Sequence, residues 1–507
     1  MSRKIGVMLS YVLMIIEVLS TLLLTPYIIK SLGQAEFGVY KLVVAVNAYL
    51  VLFDLGVGNA VIRYIAKYKA IGDRKHEQQF FGVAIIFYSG VAIIAILVGI
   101  ALISVFPHTF AIGLSDEEIV LGQRLLRVAV INSAFSLWTT AFNNVLIAYE
   151  RFAVSKSASI LQLVARILLT YYALQKGMGS IGIMRINLLL TVVCRTLFAL
   201  YVFFVIKLLP KFRRIEEEYL KEIVAYSSLI LLQMLATLMN STVDQVLIGS
   251  VVSSSATILA VYGVGAQIVQ YYQSIGTAYT GVLMPGVVRM VERRASPKEL
   301  TGEMIRIGRL VLMTLSLILS GFSICGKQFI RLWAGEQNER AYIVALLLMI
   351  AHLFILTESI GSQILWAKNC HKEQSILKMI IVIVNIFLTL MLIKWNPLIG
   401  AATGTFFSLV VGDIGVMNYI FVKKIGINLR YYYKEITSGI IPCAILSAIV
   451  GYLFKPIFAE TWIGLFGNIA VICVFYGASM FLFGMNKYEK QLCFSLFNGV
   501  IKKLGGR

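Results

Sequence analysis

The chain has little charge: only 14% of its 507 residues are Asp, Glu, Lys or Arg, against roughly a quarter in a soluble domain. That deficit excludes an ordinary soluble globule of this length. Paired cysteine is lacking too. Cys194, Cys325, Cys370, Cys443, Cys473 and Cys493 are scattered and no CxxC pair occurs, so neither a disulfide framework nor a zinc site is expected. They read as apolar filler. Strand-like alternation is missing, which argues against a β-barrel. No loop between apolar runs is long enough to be a domain, which leaves little room for a catalytic loop.

What the chain does have is apolar sequence: 59% of residues are hydrophobic and the mean hydropathy is +0.85. Runs of twenty or more apolar residues recur. A helix rises about 1.5 Å per residue and must cross roughly 30 Å of hydrocarbon, and only a helix satisfies its own backbone there. The spans read as 9–30, 38–60, 80–106, 120–149, 155–175, 181–206, 222–250, 257–285, 307–326, 341–366, 374–394, 397–422, 436–456 and 461–484. Span 1 is too long for a signal peptide and no small-residue cleavage site follows it. The expected fold is an all-α polytopic membrane protein of about fourteen transmembrane helices.

The net charge of +20 does not imply a nucleic-acid partner, because no basic stripe lies on a soluble domain. Counted from a cytoplasmic N-terminus, 32 of the 45 Lys and Arg fall in inside segments and 8 in outside loops and their rims. This is the positive-inside pattern. It places both termini in the cytoplasm, as an even number of spans requires.

The second half echoes the first. Phe37-Gly38-Val39-Tyr40 is echoed by Ala260-Val261-Tyr262, Leu146 by Leu365, Ser157 by Ser375, and Ser180-Ile181-Gly182 by Leu398-Ile399-Gly400, each about 220 residues later. Six spans per repeat keep the orientation, so the expectation is a parallel repeat of two six-helix lobes. The expected divisions are an N-lobe over 1–214, a C-lobe over 215–430, and spans 13 and 14 with a cytoplasmic tail over 431–507.

An ionisable residue at bilayer depth costs about 2.5–3.5 kcal/mol or more, and marks function unless it is paired. Five arginines remain inside spans: Arg124 and Arg127 in span 4, Arg166 in span 5, Arg185 and Arg195 in span 6. All lie in the first half. Ser155, Ser159, Gln162, Arg166 and Thr170 form one polar stripe at helical spacing. Together the arginines can line a cationic, water-filled vestibule. Snorkelling to headgroups competes for Arg124, Arg127 and Arg185, and ion-pairing with Glu17 or Asp54 competes for Arg166 and Arg195. The intramembrane acids Glu17, Asp54, Asp244, Glu358 and Asp413 are candidates for proton or sodium coupling or for salt bridges, with Asp413 the weakest. His352 reads as an interhelical hydrogen-bonder. Span 8 gathers Gln267, Gln270, Tyr271, Tyr272, Gln273, Ser274, Thr277, Tyr279 and Thr280. Of these, Gln270 and Tyr271 offer the amide and aromatic surface that a sugar uses. Interhelical bonding is the alternative.

The run Leu24-Thr25-Pro26-Tyr27-Ile28-Ile29-Lys30-Ser31-Leu32-Gly33, followed by Glu36-Phe37-Gly38-Val39-Tyr40, Phe53-Asp54-Leu55-Gly56 and Arg63-Tyr64, resembles the opening of bacterial polysaccharide flippases. These are the O-antigen and capsule exporters of the multidrug/oligosaccharidyl-lipid/polysaccharide superfamily. The resemblance implies a MATE-like pair of lobes, with a terminal helix pair, working by alternating access in the bacterial inner membrane. It implies movement of an undecaprenyl-diphosphate-linked oligosaccharide, a repeat unit for lipopolysaccharide or capsule, to the periplasmic leaflet. The implied partners are that substrate, membrane lipids and other polysaccharide assembly proteins. No enzyme activity, metal or cofactor is implied beyond proton or sodium counter-transport. One alternative is a cation-coupled multidrug exporter of the same superfamily, which would favour an acidic cavity. Another is a membrane-embedded glycosyltransferase or polymerase, for which the outside loops offer only sparse acids such as Asp116, Glu117 and Glu118.

Overall fold

The structure is a computed structural model that describes residues 2–54, 56–212, 217–368 and 370–494. The expected lobe boundary at 214/215 lies outside the described residues. Among those residues the regular elements are all helices. In chain order they are α1 (Ser2–Val51), α2 (Val57–Ala70), α3 (Arg74–Phe110), α4 (Asp116–Trp138), α5 (Thr140–Ala148), α6 (Phe152–Gln175), α7 (Gly179–Leu200), α8 (Glu217–Val251) and α9 (Ala256–Glu292). There follow α10 (Pro297–Ala334), α11 (Ala341–Thr357), α12 (Ser359–Ala367), α13 (His371–Ile393), α14 (Pro397–Leu409), α15 (Met417–Ile420), α16 (Leu429–Thr437), α17 (Ile440–Phe454) and α18 (Trp462–Ser479). π-Helical turns continue several of them, at Tyr201–Ile206, Val410–Val416, Phe421–Ile425 and Met480–Gly484.

Each expected span falls on helix. By length and apolarity, ten helical stretches among the described residues can cross a membrane, or eleven if α11 and α12, bent by 44°, count as one. That measure does not fix the number at fourteen, partly because residues 16–70 form one stretch. α1 is broken within itself at Gly33, whose φ of 76° and ψ of 172° suit a residue without a Cβ. Large apolar side chains face outward: Leu23 is 74% exposed, Phe204 73% and Ile463 86%. In water such a surface would aggregate, whereas in a bilayer it meets hydrocarbon. The chain is a multi-pass membrane protein.

Two compact units are present, one of residues 1–263 with 378–401, the other of 264–377 with 402–507. In the first, α1 packs along α4, α6 and α7. Its core gathers Phe81, Tyr88, Phe142, Val145, Leu146 and Val202. Helix ends are capped locally. Asp73 accepts from the His76 amide at 3.1 Å at the start of α3, and this bond first, then the His76 ring, holds its carboxyl below the usual carboxylate range. Ser115 and Glu118 form a capping box on α4.

In the second unit α10 packs against α11, α16, α17 and α18. Its strongest polar anchor is Arg309, buried on α10. The guanidinium donates to both carboxylate oxygens of buried Glu489, at 2.6 and 3.0 Å. It also donates to the carbonyls of Glu435, at 2.5 Å, and Gly484, at 2.7 Å. Glu489 in turn accepts from the Asn486 amide at 2.8 Å. Every charge here is met, so the segment after α18 is pinned to α10 within this unit.

Candidate functional site

The polar stripe of α6 opens onto a cavity of about 410 Å³ within the first unit. Ser159, Gln162, Leu163 and Arg166 supply one wall, Leu13 and Glu17 of α1 a second, Asn187, Leu190 and Thr191 of α7 a third, and Asn132 of α4 the remainder. Helical spacing explains the wall of α6, since residues three and four apart share a face. It explains α7 likewise through Asn187 and Thr191. Leu13, Leu163 and Leu190 complete the lining among seven polar or charged neighbours.

The cavity's electrostatics are set by two residues. Arg166 is half-buried and, among the described residues, has no ion-pair partner within 4 Å. Glu17 is exposed, so its carboxyl reaches the cavity on α1. The hydroxyls of Ser159 and Thr191 donate to the carbonyls of Ser155 and Asn187 in their own helices, at 3.0 and 2.8 Å. Among the described residues no donor takes their oxygen lone pairs. Asn132 Oδ1 is buried with no hydrogen-bond partner among the described residues. The arrangement can receive an anion at Arg166 and hydroxyl or amide donors around it.

The other expected residues are placed separately. Arg195 lies one turn beyond Thr191 on α7, half-buried, its guanidinium 5.9 Å from the centre of the Phe198 ring. Arg124, Arg127 and Arg185 are exposed and do not line the cavity. Asp54 accepts from the Tyr88 hydroxyl at 2.8 Å, and Tyr88 from Asn144 at 3.4 Å. Asn47 bonds to Ser133 at 3.0 Å rather than to Asp54. Asp244 is buried and accepts from the Tyr262 hydroxyl and, at 3.3 Å, from Thr389, which also reaches Asn385. In the second unit, Tyr271 accepts from Gln267 at 2.9 Å, Gln270 is exposed, and His352 bonds to Gln273 at 2.7 Å. Glu358 is buried between α11 and α12 and accepts from Tyr433 and Asn418. Sequence reasoning missed Asn132, Asn187 and Thr191 in the cavity. A count of polar residues on the inner faces of spans 4 and 6 would have found them.

The opening motif is structural. Glu36 Oε1 accepts from the amide and the hydroxyl of Ser180, both at 2.6 Å, and so caps the N-terminus of α7. The carboxylate there meets the positive end of the helix. Gly38 is a contact point: a Cβ built on it would sit 1.8 Å from the carbonyl oxygen of Ala256. The motif therefore fixes helices next to the cavity and does not line it.

The sequence matches the model of the polysaccharide biosynthesis protein family over residues 6–291, more than half of the chain. The chain belongs to that family. The matched region contains the whole cavity and the motif that frames it. No curated protein matches the chain at significance. Among solved structures, the family member described here is similar to the lipid II flippase MurJ in an inward closed conformation, at 15% identity and a TM-score of 0.69, over 94% of this chain and 98% of that one. It is also similar to an inward-facing multidrug resistance MATE transporter of the MOP superfamily, at 16% identity and a TM-score of 0.63, over 80% and 96%. A mutant form of the Vibrio cholerae MATE transporter VcmN matches at 14% identity and a TM-score of 0.56, over 83% and 97%. At these identities the likeness shows the fold alone: the chain is folded like that flippase and those MATE transporters.

Proposed function

We propose that this protein is a flippase that moves an undecaprenyl-diphosphate-linked oligosaccharide, an O-antigen or capsule repeat unit, across the bacterial inner membrane by alternating access of two six-helix lobes, 1–214 and 215–430. The reading supposes both termini in the cytoplasm and spans 13 and 14 (436–456 and 461–484) at the periphery. The observation that carries it is Arg166, an arginine without an ion pair among the described residues, in a polar cavity of a membrane-embedded unit. A cation kept at bilayer depth without a partner is expensive and suits an anionic cargo. A guanidinium binds phosphate oxygens bidentately. The ring of Gln162, Asn187, Ser159 and Thr191 offers donors and acceptors of the kind a sugar-phosphate uses, and the polyprenyl tail can stay in lipid. Arg195, Arg124, Arg127 and Arg185 extend the positive field along α4 and α7, and Gln270 and Tyr271 are the sugar-facing candidates of the second unit. The family match and the MurJ-like fold support a lipid-linked cargo.

Glu17, Asp54, Asp244 and Glu358 are the coupling candidates for proton or sodium return. The reading gives Glu17 the direct role, supported by its sharing the cavity with Arg166, where a carboxylate charge opposes the binding of an anion. The same acid is the observation that favours a cation-coupled multidrug exporter. The two readings separate on cargo: in proteoliposomes, Arg166→Ala should lower transport of a lipid-linked oligosaccharide by about tenfold or more, whereas an exporter should keep drug efflux in Arg166→Ala and lose it in Glu17→Gln. Unchanged lipid-linked oligosaccharide transport in Arg166→Ala would reject the cargo-site reading.

A further inference from the structure

Glu358 sits at the break between α11 and α12 and is 2% exposed. Its Oε1 takes two donors, the Asn418 Nδ2 at 3.1 Å and the Tyr433 hydroxyl. Among the described residues its Oε2 takes none, and neither does Oδ1 of Asn418, although both atoms are sealed from solvent. The groups that face Glu358 hold no cation among the described residues. Tyr433 and Tyr432 come from α16, with the Tyr432 hydroxyl bonded to the Thr357 carbonyl at 3.1 Å. Asn418 comes from α15. Buried Asp413, on the π-turn before α15, lies near enough to repel a charge on Glu358. On α10, the guanidinium of Arg309 is taken up by Glu489.

A buried carboxylate with one bare oxygen and a second acid beside it is costly. A neutral carboxylic acid is not, provided its O–H finds an acceptor. A primary amide supplies both complements: it donates N–H to one carboxyl oxygen and accepts O–H from the other, closing an eight-membered ring. Half of that ring is in place between Asn418 Nδ2 and Glu358 Oε1. The two partnerless atoms, Glu358 Oε2 and Asn418 Oδ1, belong to its other half.

We propose that Glu358 is a proton-binding site, with the proton on Oε2 shared with Oδ1 of Asn418. Binding converts a carboxylate and a proton to a neutral acid and changes no other bond. Tyr433 holds Oε1 in both states, and Asp413 opposes the charged one. The use of this proton as the coupling ion rests on the flippase reading, but its binding does not.

The test is infrared difference spectroscopy of the purified full-length protein in lipid, comparing wild type with Glu358→Gln and Asn418→Leu. Glu358→Gln mimics the neutral acid and keeps the bond to Asn418. The expected result is a carboxylic C=O band at pH 7 that is lost in Glu358→Gln and moves in Asn418→Leu. A spectrum at pH 7 that is the same with and without Glu358 overturns the proposal. So does a Glu358 band that vanishes when sodium chloride is added at fixed pH, which would make the site one for sodium. If Asn418→Leu fails to assemble, Glu358→Gln alone decides. Because the spectrum needs no cargo, normal proton binding without lipid-linked sugar transport rejects the flippase reading alone.

Discussion

Arg309→Ala should release the segment after α18. In the intact protein the Arg309 guanidinium satisfies both oxygens of Glu489 and the carbonyls of Glu435 and Gly484, all within 3.0 Å. Truncation leaves a buried carboxylate without its counter-charge, a loss of about 3–5 kcal/mol. At about 1.36 kcal/mol per tenfold, the population with this segment detached should rise by about a hundredfold to several thousandfold. Lys487 and Lys490 flank Glu489, so trypsin reports that opening, and cleavage follows the open population when closing is fast. The double variant Arg309→Met with Glu489→Leu removes both charges and should recover most of the protection, because a buried pair replaced by apolar residues is often neutral. A change in cleavage below about tenfold in the single variant would refute this reasoning, since the lost counter-charge is worth about two decades or more. Greater lability in the double than in the single would refute it as well.

Three further outcomes follow from the geometry. Gly38→Leu should unfold the first unit or prevent its assembly, because even a Cβ would meet the Ala256 carbonyl at 1.8 Å; monodisperse protein of unchanged melting temperature would contradict that contact. Glu36→Ala removes the cap of α7 and should cost about 0.5–2 kcal/mol, seen as a lower melting temperature that Glu36→Asp restores in part. Glu339, outside the spans, is held below its ordinary value by Lys327 first and then Arg331. A lowered value means its stabilising effect is complete above the unfolded-state value and is lost as pH falls through the folded one. The melting temperature of wild type should therefore exceed that of Glu339→Gln at neutral pH and converge on it as pH falls through the folded-state value; parallel curves would exclude the ion pair as a contributor.

Much of the fold was legible, because apolar runs long enough for a bilayer have few other uses, and each run proved helical. The face of α6 was legible for a related reason: Ser159, Gln162 and Arg166 recur at helical spacing, and one helix suffices to read it. What required neighbours was not. Glu17 lies far from Arg166 in sequence and stood beside Asp54 as an equal candidate partner; its place on the same cavity needed the packing of α1 on α6. Arg124, Arg127 and Arg185 are exposed, since periodicity gives a residue's angle about its own helix but not which neighbour covers it. Arg309 stands at the edge of its apolar span, where it counts among the inside charges, and its partner Glu489 lies 180 residues away. Glu358 was marked by its charge alone, while Asn418 and Tyr433, which give it chemistry, carry no such flag. The opening motif signalled the family, yet Glu36 and Gly38 act there through helix packing.

The central claim is that Arg166 receives the anionic head group, and the most direct measurement is transport of a lipid-linked oligosaccharide by Arg166 variants in proteoliposomes. Bidentate, charge-assisted bonds are worth about 1.5–3 kcal/mol, so Arg166→Ala should lower transport by about ten- to a hundredfold at unchanged protein content. Arg166→Lys should restore only part of it, because lysine keeps the charge and loses the fork. Transport by Arg166→Ala equal to that of the wild type would contradict the account.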